Sequence, residues 1–167
     1  MLSACTFIAL LSLTADSPAF ELDGNILEVP TPIVFQTGKA DLATESMDAL
    51  KHVKRYLETK SFISTLRVEV HSDGVGDRKA NQLLTEARAA EVVHALVALG
   101  VDCDRLIAVG FGSTKPIAAN DTPENRSKNR RTVFVNAALR GRPIGGLPLD
   151  GGGVVASTTC KQAPPNK

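Results

Sequence analysis

The chain has 167 residues, 19 of them basic and 18 acidic, for a formal net charge of +1, and 43% of its residues are hydrophobic. That length holds one core with short tails, and so nearly neutral a surface excludes the charge field that gathers nucleic acid or an anionic membrane. With no Trp and only 4% aromatic residues, the stacking platforms of single-strand nucleic-acid binders are excluded as well.

Taken in order, the chain starts with residues 1–19, apolar and uncharged through CTFIALLSLTA and with small residues at Ser17 and Ala19. A bilayer-spanning helix needs about 20 consecutive apolar residues, so this run is read as a leader. It resembles a secretory signal peptide cut before Phe20. The alternative is a lipoprotein-type leader, because Leu2-Ser3-Ala4-Cys5 resembles a lipobox whose cysteine is lipidated. After export, Cys103 and Cys160 either form a disulfide that ties the tail to the end of the second helix or remain thiols. Neither has a CxxC partner or a spaced histidine set, so no metal site and no cofactor is expected.

Residues 20–32 read as a linker, with Asp23-Gly24-Asn25 early and Pro30 and Pro32 late. Residues 33–35 then predict a short strand, and Gln36-Thr37-Gly38 a turn. From Thr44, Met47, Leu50, Val53 and Leu57 recur at helical spacing, with Lys51, Lys54, Arg55 and Lys60 towards the end, where cations suit the helix dipole. His52 and Tyr56 read as surface residues of this first helix. Residues 66–71 alternate, with Leu66, Val68 and Val70 towards a core and Arg67, Glu69 and His71 towards water.

The second helix runs to Leu99 and is stopped by Gly100. Residues 106–109 predict a third strand, 124–129 a short helical turn and 132–135 a fourth strand. Beyond residue 138 the Gly/Pro-rich stretch 139–167 reads as a tail. The order strand, helix, strand, helix, strand, short helix, strand argues for a two-layer α/β domain over residues 33–138, its helices packed on one face of a mixed four-stranded sheet.

The chemistry concentrates in residues 71–88, HSDGVGDRKANQLLTEAR. Asp73 lies in a glycine-containing turn directly after the alternating strand. On the helix that follows, Leu84, Val92, Ala95, Leu96 and Leu99 form an apolar stripe, and Arg88 falls in its middle. A guanidinium facing a core without an anion costs several kcal/mol, so Asp73, a ligand carboxylate, or both must meet it there. A structural Asp–Arg pair that pins the loop to the helix would satisfy the same requirement. Asn81 bonds the loop or a ligand, or caps the second helix. Arg126, Arg130 and Arg131 form a second basic cluster.

Two other chemistries fit less well. The spacing Asp73-Gly74-Val75-Gly76-Asp77 suggests a calcium loop, but Val75 and Lys79 supply no oxygen ligand. An enzyme would need an activated nucleophile, and no G-x-S-x-G elbow or reactive-cysteine setting is present.

Asp73 within HSDGVG, Asn81 and Leu84 ahead of Arg88 and Ala89, and the later Asn129-Arg130-Arg131 together resemble the OmpA/MotB-type C-terminal domain, a periplasmic peptidoglycan-binding module. The likeness spans about residues 33–135. It implies the same two-layer fold, a non-catalytic role, and a periplasmic, wall-associated location. Attachment to the outer membrane would come through lipidation or a partner protein. It also implies peptidoglycan as the partner, bound through the diaminopimelate of the peptide stem, whose ammonium and carboxylate share one carbon. Asp73 would accept from the ammonium, and Arg88 would grip the carboxylate with its planar fork, which lysine cannot imitate. Asn81 and Arg130 are the further candidates, with a salt bridge from Arg130 to Asp73, or a solvated face, as the alternative to ligand binding by that arginine. The sequence departs from the family pattern at Val70, Ser72 and Thr85, where Gly, Thr and Ser are usual. A flagellar-stator or secretion-system anchor would use the same module.

Overall fold

The computed structural model describes residues 19–156. Within them the chain forms β1 (Leu22–Asp23), β2 (Ile26–Leu27), α1 (Met47–Thr59), β3 (Ile63–His71), α2 (Arg78–Ala98), β4 (Leu106–Gly112), α3 (Pro123–Asn129), β5 (Arg131–Leu139), β6 (Arg142–Pro143) and β7 (Val154–Val155). The sheet order is β1-β2-β5-β3-β4-β7, with β6 on β5. β4 runs parallel to β3 and β5 antiparallel to it. This is the mixed sheet and helix layer that the sequence implies.

The core lies between one sheet face and the two long helices. Leu66 and Val68 of β3, Phe134 of β5, Val53 of α1 and Val92 and Leu96 of α2 are all fully buried. Register enforces this, since Val68 pairs with Phe134 and Val70 with Thr132, and paired residues share a face. Tyr56, read from sequence as a surface residue, is only 1% exposed and takes a 2.8 Å hydrogen bond on its hydroxyl from Asn136. A phenol can enter a core when its polar tip finds a partner, and that partner is 80 residues away in sequence.

Helix α2 sits close against β4, and a glycine permits it. A Cβ on Gly110 would lie 2.6 Å from the backbone nitrogen of Glu86. Gln82 Nε2 donates to the Gly110 carbonyl at 2.9 Å, and the Gly112 N–H donates to the buried Thr85 hydroxyl at 2.9 Å. These contacts fix both the depth and the rotation of the helix.

Three further expectations are corrected. Residues 33–35 do not join the sheet; Phe35 makes a single bridge to Leu42, closing a local loop. β2, from the stretch read as a linker, takes the edge of β5 instead. Pro30 and Pro32 lack the N–H donors needed to continue that ladder. The face of β3 expected to meet water is covered, leaving Glu69 8% and His71 2% exposed. The cover comes from the stretch read as a tail, where the Leu149 carbonyl accepts from Arg67 at 2.8 Å and the Gly151 carbonyl from Lys115 at 2.8 Å. Alternation in a strand marks two faces but does not say that the second is bare.

Under this cover, Arg67 Nε donates to Glu69 at 2.6 Å, Glu69 meets His71 Nε2 at 3.2 Å, and the His71 ring stacks on Phe111 with centroids 4.9 Å apart. Cys103 is disulfide-bonded. Its expected partner Cys160, and Cys5 with the leader through Pro18, lie outside the described residues.

Two outcomes are expected from this packing. Gly110→Ala should lower unfolding free energy by about 1 to 3 kcal/mol through overpacking against the α2 backbone, read from urea midpoints. Burial holds the His71 imidazole below its ordinary pKa, against the pull of its bond to Glu69. The unfolded histidine therefore binds a proton as pH falls below about 6.5 while the folded one resists, so stability is full above that pH and declines below it. Denaturant midpoints should drop between pH 7 and pH 5.5 and drop less in His71→Gln; equal slopes in the two proteins would refute this assignment.

Candidate functional site

The loop between β3 and α2 is held by its own polar side chains. Asp77, not Asn81, caps α2, its carboxylate accepting from Ala80 N at 2.8 Å. Asn81 instead reaches back across the loop and donates to the Val75 carbonyl at 2.8 Å. Asp73 accepts from Val75 N at 3.1 Å through one oxygen and from Arg130 Nη1 at 2.6 Å through the other. Both carboxylates of the calcium-like spacing are thus engaged within the protein.

Asp73 does not meet Arg88, and the partners that do are uncharged. Arg88 Nε donates to the Lys39 carbonyl at 2.9 Å, and its guanidinium lies 4.8 Å from the centre of the Phe35 ring. Among the described residues no carboxylate pairs with it. The buried side of α2 runs through Thr85, Ala89, Val92, Val93 and Leu96. Arg88 therefore rides the margin of the core stripe rather than its middle and is half-buried. Burial lowers its pKa from the ordinary value, so the cation is partly stripped of water without a charged partner.

Arg88 and Arg130 line one cavity of about 340 Å³ together with Phe35, Thr37, His71 and Arg131. Its walls come from the loop after Phe35, the end of β3, the middle of α2 and the start of β5. The Arg130 side chain is 49% exposed and Asp73 only 14%, so the pair is an inner acid gripped by a rim cation. Arg131 donates to the Asn129 and Lys115 carbonyls, and burial lowers its pKa against a partial opposing pull from Glu69. Of the three arginines singled out beyond Arg88, Arg126 turns away to the Asn120 and Asp121 carbonyls.

Sequence reasoning left several contributors without a role. Asn129 is fully buried; its amide oxygen accepts from Ile117 N and Ala118 N, and its nitrogen donates to the Ala118 carbonyl and to Asn120. Asn120 in turn accepts from Gly74 N at 2.9 Å, so the loop before α3 braces the loop that carries Asp73. Phe35 and the Lys39 carbonyl, which seat Arg88, come from a segment whose turn residues were legible but whose destination was not. The Asn129-Arg130-Arg131 triplet itself was the available signal. Each member serves a different loop: the first orders the brace, the second holds Asp73, and the third closes the cavity wall.

Three guanidinium groups, Arg88, Arg130 and Arg131, line the cavity, and one of them, Arg130, is paired with Asp73, an excess of positive charge that suits a ligand bearing a carboxylate.

Comparisons with known proteins place the fold in a family. A family model described as the OmpA family matches residues 34–130. The probable lipoprotein YiaD of Escherichia coli is 34% identical over 118 residues, covering 70% of this chain and 53% of its own length. The peptidoglycan-binding protein ArfA of Mycobacterium tuberculosis is 35% identical over 122 residues, covering 72% of this chain and 37% of its own. The chain thus spans about half or less of these curated relatives. Among solved structures, a putative MotB-like protein from Desulfovibrio vulgaris superposes with a TM-score of 0.60 at 26% identity, covering 70% of this chain and 75% of that one. On the match across its central residues, and on the fold that match implies and the structure has, this chain belongs to the OmpA family.

Proposed function

We propose that this chain is a non-catalytic module of the cell envelope that binds peptidoglycan, gripping the diaminopimelate of the peptide stem and so linking the envelope to the wall. The observation that carries the reading is Arg88, a half-buried guanidinium at a cavity wall with no carboxylate partner among the described residues. Its Nε is held by the Lys39 carbonyl, which leaves the two terminal nitrogens as an end-on fork for a ligand carboxylate. Asp73 then takes the ligand ammonium, and Arg130, released or shared, follows the carboxylate from the rim. Where Arg130 lets go, the site loses one internal pair and gains one at Asp73 and one at Arg88, and its excess of positive charge is unchanged because the ligand head is neutral overall. The 35% identity to ArfA, a protein named for peptidoglycan binding, supports the same reading.

Charge-assisted hydrogen bonds contribute about 1.5 to 3 kcal/mol each, so two of them give a free stem a dissociation constant of roughly micromolar to millimolar. On a polymer with many stems, rebinding makes this sufficient. Periplasmic, wall-associated placement follows from the proposed partner, with outer-membrane attachment supplied by lipidation at Cys5 or by another protein. The likeness to a MotB-like structure favours a second assignment of the same module, as the wall anchor of a stator or secretion complex.

Purified sacculi provide the test. Asp73→Ala and Arg88→Ala should each reduce co-sedimentation at least tenfold while thermal unfolding still shows a cooperative transition; sustained binding by both would reject the site. Arg88→Lys should bind nearly as poorly as Arg88→Ala, because an ammonium cannot present two parallel N–H donors. Free diaminopimelate should release the wild-type protein from sacculi, and its failure to compete while the mutants still lose binding would move the recognised group elsewhere on the polymer.

A further inference from the structure

The cavity carries more positive charge than a diaminopimelate head can answer. Arg88, Arg130 and Arg131 are among its lining residues, and no acid is. Asp73 reaches Arg130 from the loop before α2. Lys39, whose carbonyl seats Arg88, is exposed and forms no ion pair among the described residues, and Asp41 in the same loop forms none either. A head of one ammonium and one carboxylate is neutral, so its arrival leaves the excess in place. Like charges gathered in a partly dry hollow repel, and a further anion relieves that repulsion.

The hydrogen bonds show which cation is free to take it. Arg88 has its Nε on the Lys39 carbonyl and its terminal nitrogens committed to the head carboxylate. Arg131 gives both terminal nitrogens to the Asn129 and Lys115 carbonyls. Arg130 differs. Its only side-chain hydrogen bond among the described residues runs from Nη1 to Asp73, and the side chain is 49% exposed at the rim. Once the ligand ammonium takes Asp73, Nε and Nη2 of Arg130 remain for another acceptor, wherever Nη1 turns.

The hollow also has space beyond the head. Its volume of about 340 Å³ lies where pockets for drug-sized ligands begin, at about 300 Å³. Ile33, Val34 and Phe35 give it an apolar side for the methylenes of the ligand chain.

Resting on the grip of the diaminopimelate head described above, we infer that Arg130, with Lys39 at the mouth, reads a second free carboxylate of the same stem, so that the site selects stems of net negative charge. A peptide stem has two sources of such a group: the α-carboxylate of a glutamyl residue linked through its γ-carboxyl, and the carboxylate at its own C-terminus. Either presents a planar, acceptor-only anion to the guanidinium. Amidation removes the charge and turns an NH2 towards donors.

Synthetic stem tetrapeptides titrated calorimetrically into the full-length protein distinguish the sources. One form has both carboxylates free, one carries the glutamyl α-carboxamide, and one carries a C-terminal carboxamide; the diaminopimelate head is intact in all three. At least one amide should weaken binding by roughly fivefold or more, and the amide that does so identifies the group read. In Arg130→Gln the ratio of free to amidated affinity should fall close to one, and in Lys39→Gln it should fall part of the way. Equal affinity for all three peptides, with binding still lost in Asp73→Ala, would overturn the second contact and leave the grip on the head standing. Binding of none of the three would refute that grip and the second contact with it. An undiminished ratio in Arg130→Gln would overturn the assignment to Arg130.

Discussion

The close seat of α2 on β4 governs the molecule. No side chain can stand between Gly110 and the Glu86 backbone, and the Thr85 hydroxyl and Gln82 amide lock the helix to the strand on either side of that contact. A helix held at that depth cannot roll. Ala89, Val92 and Leu96 must then fill the core, and Arg88 is left at its margin, where the loop after Phe35 can reach it. The position of Arg88, half-buried at the cavity wall without a carboxylate partner among the described residues, is therefore a consequence of packing two turns of helix against a glycine.

Around Arg88 the charges are arranged in order of exposure. The inner acid, Asp73, is held by a rim arginine, while the inner arginine is held only by a carbonyl and an aromatic face. Neutral partners orient a guanidinium without cancelling its charge, so its attraction for an incoming carboxylate is preserved in a partly dry setting. A direct Asp73–Arg88 pair would have cancelled both groups. The brace from Asn129 through Asn120 to Gly74 keeps the acid's loop in place, so that the site is built on ordered backbone from four separate segments.

The second sheet face carries a different kind of order. Arg67, Glu69 and His71 are buried there beneath backbone from the C-terminal stretch, and the network is satisfied apart from His71 Nδ1. His71 belongs to both halves: it lines the cavity with Arg88 and stacks on Phe111, which Gly153 covers. The cover over one face thus reaches the wall of the site through two rings in contact.

The sequence by itself determined the two-layer fold, the helices and the three central strands. Period and alternation are local properties that survive whatever packs above them, as Leu66, Val68 and Val70 illustrate. It also placed Asp73 and Arg88 as charged residues where charge is costly. Tertiary structure decided which charges meet: Arg130, 57 residues from Asp73, reaches it first, and the Lys39 carbonyl, 49 residues from Arg88, takes the place expected of an acid. It decided too that residues 33–35 form a loop wall, that Tyr56 lies inside, and that the Arg67 face is roofed by glycine-rich chain. Those outcomes turn on the distance closed between remote segments, and side-chain periodicity carries no record of which remote segment will arrive.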